Sequence, residues 1–334
     1  MNDNYNGAIL AGLSRAFDFM ARRPLLLAAL VAIAYGIRLN DTRELVDAAV
    51  DPYRMVLPPE REFLYGSPLP LFLVSYFIHQ GLPGLAAYIW VQVVGAGLFL
   101  VGLHRALGRG VSRERRNLTL TVLLASPLLV TLLWWFGKSD LYLLGFYLLL
   151  ASSPSTASQV GLAVLMIVSH GELATVLLLI HGLLTPSRWR PIALGLVVGH
   201  AILAGYTGML SPQPTSRADF AWQHATELIG IFAATPLLHL FVPATLTVIY
   251  ATMRILSWRA VTVLAVALAF AIVAQDFTRV FTIISTPLLI DAARTIAVNR
   301  PSAVTWLWPL ALIQLHLAGT NLLWVHGRDI RIGP

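Results

Sequence analysis

Apolar runs close to the length that spans a bilayer recur from residue 24 to residue 325, separated by short polar or basic links. A helix crossing the roughly 30 Å hydrocarbon core needs about 20 such residues. Between them the chain leaves no stretch long enough for a separate soluble domain. Charged residues make up 12% of the chain, about half of what a soluble globule carries. The expected fold is therefore an all-α, polytopic transmembrane helix bundle of about ten to eleven spans, in one integral-membrane domain over 1–334.

The net charge of +7 reads first as membrane topology, because cytoplasmic loops concentrate arginine and lysine. No nucleic-acid partner is implied. The absence of cysteine removes disulfides, thiolate metal sites and cysteine nucleophiles. The opening "MNDNYNGAILAGLSRAFDFMARRP" lacks the early basic region and small-residue cleavage site of a signal peptide. It reads as a cytoplasmic amphipathic helix over 1–23, with Arg15, Arg22 and Arg23 at the interface.

A first span near 24–38 leads into the longest polar stretch, 39–66. That stretch holds Asp41, Glu44, Asp47, Asp51, Glu60 and Glu62, six of the sixteen acidic residues. The run "SPLPLFLVSYFIHQGLPG" (67–84) carries three prolines and the polar Ser75, His79 and Gln80. Were it a full crossing, the basic loop "HRALGRGVSRERR" after the next helix would fall outside. With five arginines against one glutamate, that loop belongs inside. The segment 39–83 is thus expected to be an acidic outer loop plus a juxtamembrane segment.

Further spans are expected near 118–136, 140–153, 158–169 and 172–184. Their outer tips are Gly137-Lys138-Ser139-Asp140 and His170-Gly171-Glu172. "TPSRWRP" (185–191) falls inside and "QDFTR" (275–279) outside. Three of these segments would form only about 20 Å of helix. They are expected to pack within the bundle around a hydrated cavity, where polar backbone and charge are tolerated.

The charges near the membrane edge gather on the outer side: the acidic loop, Lys138 with Asp140, His170 with Glu172, and Asp276 with Arg279. Charge within a membrane is expensive and marks a site or pathway when it is retained. The bland alternative is that each residue caps a helix end at the interface, which costs little; the whole set converging on one side favours a functional cavity. Arg279, three residues after Asp276, has helix-face ion-pair spacing. Arg279 and Lys138 could hold a phosphate, one by its fork and the other as a point charge. His170 and Glu172 are too closely spaced for a helical metal motif and read as turn residues or substrate contacts. His181, His200, His239 and His316 read as satisfied packing histidines, and Trp134 with Trp135 as part of an interfacial aromatic belt. No nucleotide-binding, metalloprotease or serine-hydrolase motif occurs in a suitable context.

Within "NDTRELVDAAVDPYRMVLPPEREFLYGSPLPLFL" an acidic residue follows the first span. A small-residue helix (Asp47-Ala48-Ala49), a Pro52-Tyr53 turn and the segment Tyr65-Gly66-Ser67-Pro68-Leu69 come after it. This order resembles the membrane-embedded GT-C glycosyltransferases, above all the mannosyltransferase-like types that use polyprenyl-phosphate sugars. "SPLLVTLLWWFGKSDLYLL" and "VGLAVLMIVSHGELATVLLL" are also similar to that family, and the likeness covers roughly residues 20–190. The acidic pair common in the family after the first span is absent, since Thr42 and Arg43 follow Asp41. The C-terminal third has no placed counterpart.

The resemblance implies an inverting transfer of a sugar from a polyprenyl-phosphate donor to a glycan or lipid-linked acceptor. It implies a bacterial cytoplasmic membrane with the site facing the periplasm. Asp41 becomes the expected base, with Asp51 and Glu44 as rivals. Arg279 and Lys138 become the expected phosphate ligands; Asp140, His170, Glu172, Tyr65 and Asp276 are expected around the substrates. A divalent cation is a possible cofactor, and membrane lipids are partners. Two alternatives use the same features: an undecaprenyl-diphosphate-linked polysaccharide polymerase or ligase, and a lipid or sugar transporter without enzymatic activity.

Overall fold

The computed structural model describes residues 11–12, 14–16, 18–19, 22–26, 29, 42–54, 65–108, 112–124, 128, 132, 139–211, 226, 257–273 and 277–299. Among them the regular structure is helical, apart from one isolated bridge between Arg54 and Ser211. In chain order the helices are α1 (Thr42–Val50), α2 (Pro68–His79), α3 (Gly84–Gly108), α4 (Arg113–Leu124), α5 (Asp140–Ser152), α6 (Thr156–Ser169) and α7 (Gly171–Leu184). A 3-10 turn (Pro186–Arg188) leads into α8 (Trp189–Gly208), and α9 (Trp258–Val273) and α10 (Phe277–Asn299) follow. The expected all-α class is met. Two stretches, Gly84–Leu107 and Pro186–Gly208, are long and apolar enough to cross a membrane.

The chain divides into two compact units. One, called the loop unit here, comprises Arg38–Ala106 and Trp134–Gly230; the other, the terminal unit, comprises Met1–Ile37, Leu107–Leu133 and Ile231–Pro334.

In the loop unit, small residues set how closely the helices approach. A Cβ at Gly102 would lie 2.7 Å from the Gly145 carbonyl oxygen, and one at Gly95 would lie 2.8 Å from the Tyr142 ring. α3 and α5 therefore run side by side in the same direction, and Tyr142 Oη donates to the Val91 carbonyl. Gly195 and Gly199 of α8 meet Ala163 and Ile167 of α6 in the same manner. Backbone contact through glycine is how helices gain packing energy where water offers no hydrophobic drive.

These registers create a step. Residues 91–95 of α3 lie level with Tyr142, so α3 runs about two turns, roughly 11 Å, beyond the start of α5. Ile167 lies level with Gly199, and α8 likewise continues about two turns past the end of α6 at Ser169. The helices α5, α6 and α7, of 13, 14 and 14 residues, therefore stop short at one end. α1 and α2 pack together at that end. Val46 of α1 meets Gly84, the Gly66 carbonyl lies beside Gly171, and Phe72 of α2 stacks edge-on against Tyr206 of α8.

Each boundary has a local cause. Pro68 and Pro70 sit in the first turn of α2, where a missing N–H costs nothing. α2 ends after 12 residues because Gly81 adopts φ +89° while Gly81 N and Leu82 N donate to the Ile78 and Phe77 carbonyls. This is a Schellman stop, which needs glycine at the left-handed position. Ser155 Oγ accepts from Ser158 N at the start of α6. At the far end of the unit, Arg188 Nη1 donates to the Leu150 and Ala151 carbonyls, closing the C-terminus of α5.

In the terminal unit, α9 turns Ala260, Val263, Ala267 and Ala271 inward, and it packs against α10. α10 also packs against α4. It buries Thr282, Ser285 and Thr286, and the last two hydroxyls donate to the Thr282 carbonyl. They lie just before Pro287, whose missing N–H interrupts the helical ladder.

Candidate functional site

The stepped end of the loop unit gathers four stretches that are distant in sequence. The turn after α1 is held from beneath by two tyrosines. Tyr65 Oη donates to the Arg54 carbonyl at 3.0 Å, and Tyr206 Oη donates to the Pro52 carbonyl at 2.8 Å. Arg54 also bridges to Ser211, directly after α8. The rings of Tyr53, Phe72 and Tyr206 meet edge-to-face with centroids 5.4 to 6.4 Å apart, a geometry that adds to simple burial. With its carbonyls so occupied, the turn leaves Asp51, Tyr53 and Arg54 exposed.

The starts of α2 and α5 meet at the same end. Ser67 Oγ and Ser139 Oγ are 3.2 Å apart, both buried, and join the start of α2 to the start of α5. Asp140 follows as the first residue of α5 and is 1% exposed. A carboxylate in a first helical turn is favoured by the helix dipole, which accounts for its position. His170 is the extended joint between α6 and α7; its backbone N–H donates to the Met166 carbonyl, and its carbonyl accepts from Ala174 N. Gly171 lies against Leu203 of α8. Glu172, in the first turn of α7, is exposed.

Six of the ten expected site residues thus belong to the loop unit among the described residues: Glu44, Asp51, Tyr65, Asp140, His170 and Glu172. Tyr65 serves the turn as a buried anchor. Asp51 Oδ1 accepts from Tyr53 N at 3.4 Å, a loose local cap. Glu44 lies in the first turn of α1 and is half-buried. Asp41, Lys138 and Asp276 lie outside the described residues, as do Trp134, Trp135, His239 and His316. Arg279 is described; it lies in the first turn of α10, is 6% exposed, and belongs to the terminal unit.

Sequence reading missed Tyr206, Ser67, Ser139 and Arg54. Tyr206 stands near the end of an apolar helix, where a tyrosine looks like any interfacial aromatic. The Pro52-Tyr53-Arg54 stretch was legible as a turn, but nothing local marked its two hydroxyl anchors. The histidines also need correcting. The His181 ring is buried edge-on to Tyr147, yet its Nε2 has no hydrogen-bond partner among the described residues, where it packs without being satisfied. His200 is exposed, and its Nε2 lies 2.8 Å from Thr175 Oγ1. Thr175 Oγ1 also bonds the Gly171 carbonyl. Its single proton goes there, so His200 is the donor in the pair.

No group of three or more His, Asp or Glu side chains is placed to hold a metal ion among the described residues. The chemistry on offer is an exposed carboxylate and an exposed guanidinium on a tethered turn, with an aromatic face beside them. The Ser67 and Ser139 hydroxyls and the buried Asp140 carboxylate belong to the same end of the unit. Such a set can orient a hydroxyl-rich ligand and hold an anion. No protein-family model, curated protein or solved structure matches this chain.

Proposed function

We propose that the chain is a polytopic membrane glycosyltransferase of GT-C type. It moves a sugar from a polyprenyl-phosphate donor to an acceptor hydroxyl on the outer, periplasmic face, and its site is the stepped end of the loop unit. The observation that supports this reading is the meeting of the first-loop turn with the starts of α5 and α7 and the end of α8. The arginine pattern assigns all four to the same side. The links are Tyr206 to Pro52, Ser67 to Ser139, and Gly66 beside Gly171.

A membrane setting accounts for the surfaces of the two long helices. Only 33% of the apolar window of α3 and 28% of that of α8 is buried. Leu85, Ile89, Trp90, Val93, Leu100, Leu194, Val197 and Ile202 are exposed. The core helix of a soluble protein would bury such residues, because exposing them to water forfeits about 1.5–3 kcal/mol each. Lipid removes that cost. The short helices α5, α6 and α7 then end roughly 10 Å below the outer tips of their neighbours. α1 and α2 lie over that depression as the juxtamembrane element.

In the proposed reaction a carboxylate takes the acceptor's hydroxyl proton as the oxygen attacks the anomeric carbon. The bond from that carbon to the phosphate oxygen breaks, and polyprenyl phosphate leaves with the bonding pair. Attack from the face opposite the leaving group inverts the anomeric centre. Asp41 is the preferred base, and Asp51 and Glu44 are its rivals on the same loop. Leaving-group charge needs fixed cations. Lys138 is the proposed ligand there, and Arg54 adds an exposed guanidinium on the tethered turn; Arg279, in the terminal unit, is proposed as a phosphate ligand in its own right.

A photoreactive polyprenyl-phosphate sugar, crosslinked to purified chain, tests the placement. Labelled peptides should come from 42–54 and from 65–76, and labelling should fall when unlabelled donor is added. Labelling confined to peptides of the terminal unit would refute it.

A further inference from the structure

The helix α2 exposes two of its residues, Tyr76 and His79. Helical spacing puts both on one face with the half-buried Phe72, at i, i+4 and i+7. Leu71 and Val74 turn inward. The row from Phe72 to His79 is about 10 Å long. At its Phe72 end stands the tethered turn. The Tyr53 ring meets Phe72 edge-on with centroids 5.6 Å apart, and Asp51 and Arg54 are exposed on either side of Tyr53 in the chain.

The groups on this row are held in place. Tyr53 is 51% exposed and Tyr76 58% exposed, yet each ring has a neighbour. Tyr53 also meets Tyr206 at 6.4 Å, and its turn is closed where Arg54 N donates to the Asp51 carbonyl. Tyr76 lies edge-on to Phe77 at 5.6 Å. His79 Nδ1 is 2.8 Å from the Ser75 carbonyl oxygen. A carbonyl only accepts, so Nδ1 carries the proton, and the neutral ring keeps Nε2 as an acceptor. Rings already fixed lose little freedom when a ligand covers them.

The side chains identify the occupant. α3, proposed to face lipid, exposes Leu85, Ile89, Val93 and Leu100. No Leu, Ile or Val of α2 is exposed, and the row joins aromatic rings to hydrogen-bonding groups. A pyranose has an apolar C–H face and a rim of hydroxyls. The face stacks on an aromatic ring, and the rim bonds carboxylate, guanidinium or imidazole. An acyl chain offers nothing to Asp51, Arg54 or His79 Nε2, and burying them under it would be costly. One pyranose is too short to cover Phe72 to His79.

We infer that Tyr53, Phe72, Tyr76 and His79 form a binding strip for an oligosaccharide of more than one pyranose unit. Its rings stack along Tyr53, Phe72 and Tyr76. A hydroxyl donates to His79 Nε2 at one end, and the sugar at the other end reaches the turn that carries Asp51. The acceptor of the proposed transfer is then an extended glycan. That last step rests on the glycosyltransferase reading; the strip itself does not.

The test uses the full chain in fluorescent lipid nanodiscs, applied to an array of glycans printed as monosaccharides and as oligosaccharides of the same sugars. The expected result is saturable binding to one or more oligosaccharides and markedly weaker binding to their monosaccharides. Tyr53→Ala and Tyr76→Ala should each weaken it roughly fivefold. Tyr76→Phe should keep most of it, and Trp90→Ala, at an exposed aromatic position of α3, should change it little. Matching melting temperatures tie the losses to the site rather than to the fold. Binding of no glycan, equal binding of monosaccharides, or an equal loss with Trp90→Ala would overturn the strip. A spin label on Tyr76→Cys in this cysteine-free chain separates the strip from an interfacial aromatic belt. A water-soluble nickel chelate should relax the label more than oxygen does; the reverse would place Tyr76 in lipid and overturn the strip. Oligosaccharide binding by a chain that transfers no sugar would keep the strip and remove the glycosyltransferase reading. Transfer to oligosaccharides with an acceptor KM unaltered by Tyr76→Ala would keep that reading and remove the strip.

Discussion

Tyr206 Oη donates to the carbonyl of Pro52 at 2.8 Å, across 154 residues of chain. Through this bond the end of a long apolar helix fixes a turn in the first polar loop. The turn carries Asp51 and Arg54, so the bond sets where the proposed chemistry stands. Tyr206→Phe removes the hydroxyl and keeps the ring stack with Tyr53 and Phe72. Its stability cost should be about 0.5–1.5 kcal/mol, measured by thermal unfolding in detergent. Transfer should fall well beyond what that loss of stability explains, because the turn loses its anchor. A Tyr206→Phe protein with unaltered transfer would make the bond purely structural.

The carboxylates can be separated by substitutions that keep their shape. Asparagine at position 51 can still accept from Tyr53 N, so Asp51→Asn removes charge and leaves the local cap. Asp41→Asn is expected to abolish transfer while the protein stays folded and binds donor. Asp51→Asn is expected to keep measurable activity. A dead Asp51→Asn protein beside an active Asp41→Asn protein would move the base ten residues along the loop.

The three short helices of the loop unit were legible in the sequence to within a few residues, whereas the span expected over 118–136 is described as a helix over Arg113–Leu124 that begins inside the basic stretch. Spans expected over 140–153, 158–169 and 172–184 are helices over 140–152, 156–169 and 171–184. Their ends are written locally, in the serine-rich break at 152–155, the His170-Gly171 joint and Thr185-Pro186. Hydrogen bonds across the fold have no such local sign. Neither the Tyr206 hydroxyl nor the Ser67–Ser139 pair follows any periodicity, and both depend on how the helices settle. His181 was misread for the same reason: whether a buried imidazole finds a partner depends on neighbours the sequence does not name.

The glycine contacts predict a sharp contrast within one helix. At Gly102 an added Cβ would press on the backbone oxygen of Gly145, and at Gly97 it would meet nothing within 4 Å. Gly102→Ala should cost about 1–3 kcal/mol through overpacking. Gly97→Ala should be neutral or stabilising by up to about 1 kcal/mol, since alanine is the better helix former. Melting temperatures of the two variants in the same detergent check this. Equal effects would mean that α3 and α5 do not meet in this register.

Arg279 is buried in the first turn of α10, and a purely scaffolding role makes a distinct prediction. If Asp276 merely neutralises it, Arg279→Gln combined with Asp276→Asn should restore what Arg279→Gln alone destroys. Under phosphate binding the double variant folds but stays inactive, and donor affinity falls by the equivalent of about 1.5–3 kcal/mol for a charge-assisted bond. Arg279→Lys should recover activity only in part, since it keeps the charge and loses the fork. Full activity in the double variant would leave Lys138 and Arg54 as the phosphate ligands.

Turnover by the purified chain tests the central claim most directly. The protein, reconstituted in bilayers, is given a polyprenyl-phosphate sugar radiolabelled in the sugar and a mixture of membrane glycolipid and glycan acceptors. The account predicts label in the acceptor with inverted anomeric configuration, matched mole for mole by released polyprenyl phosphate, and neither with Asp41→Asn. Donor that stays intact with every acceptor, or that crosses the bilayer unchanged, would contradict glycosyl transfer.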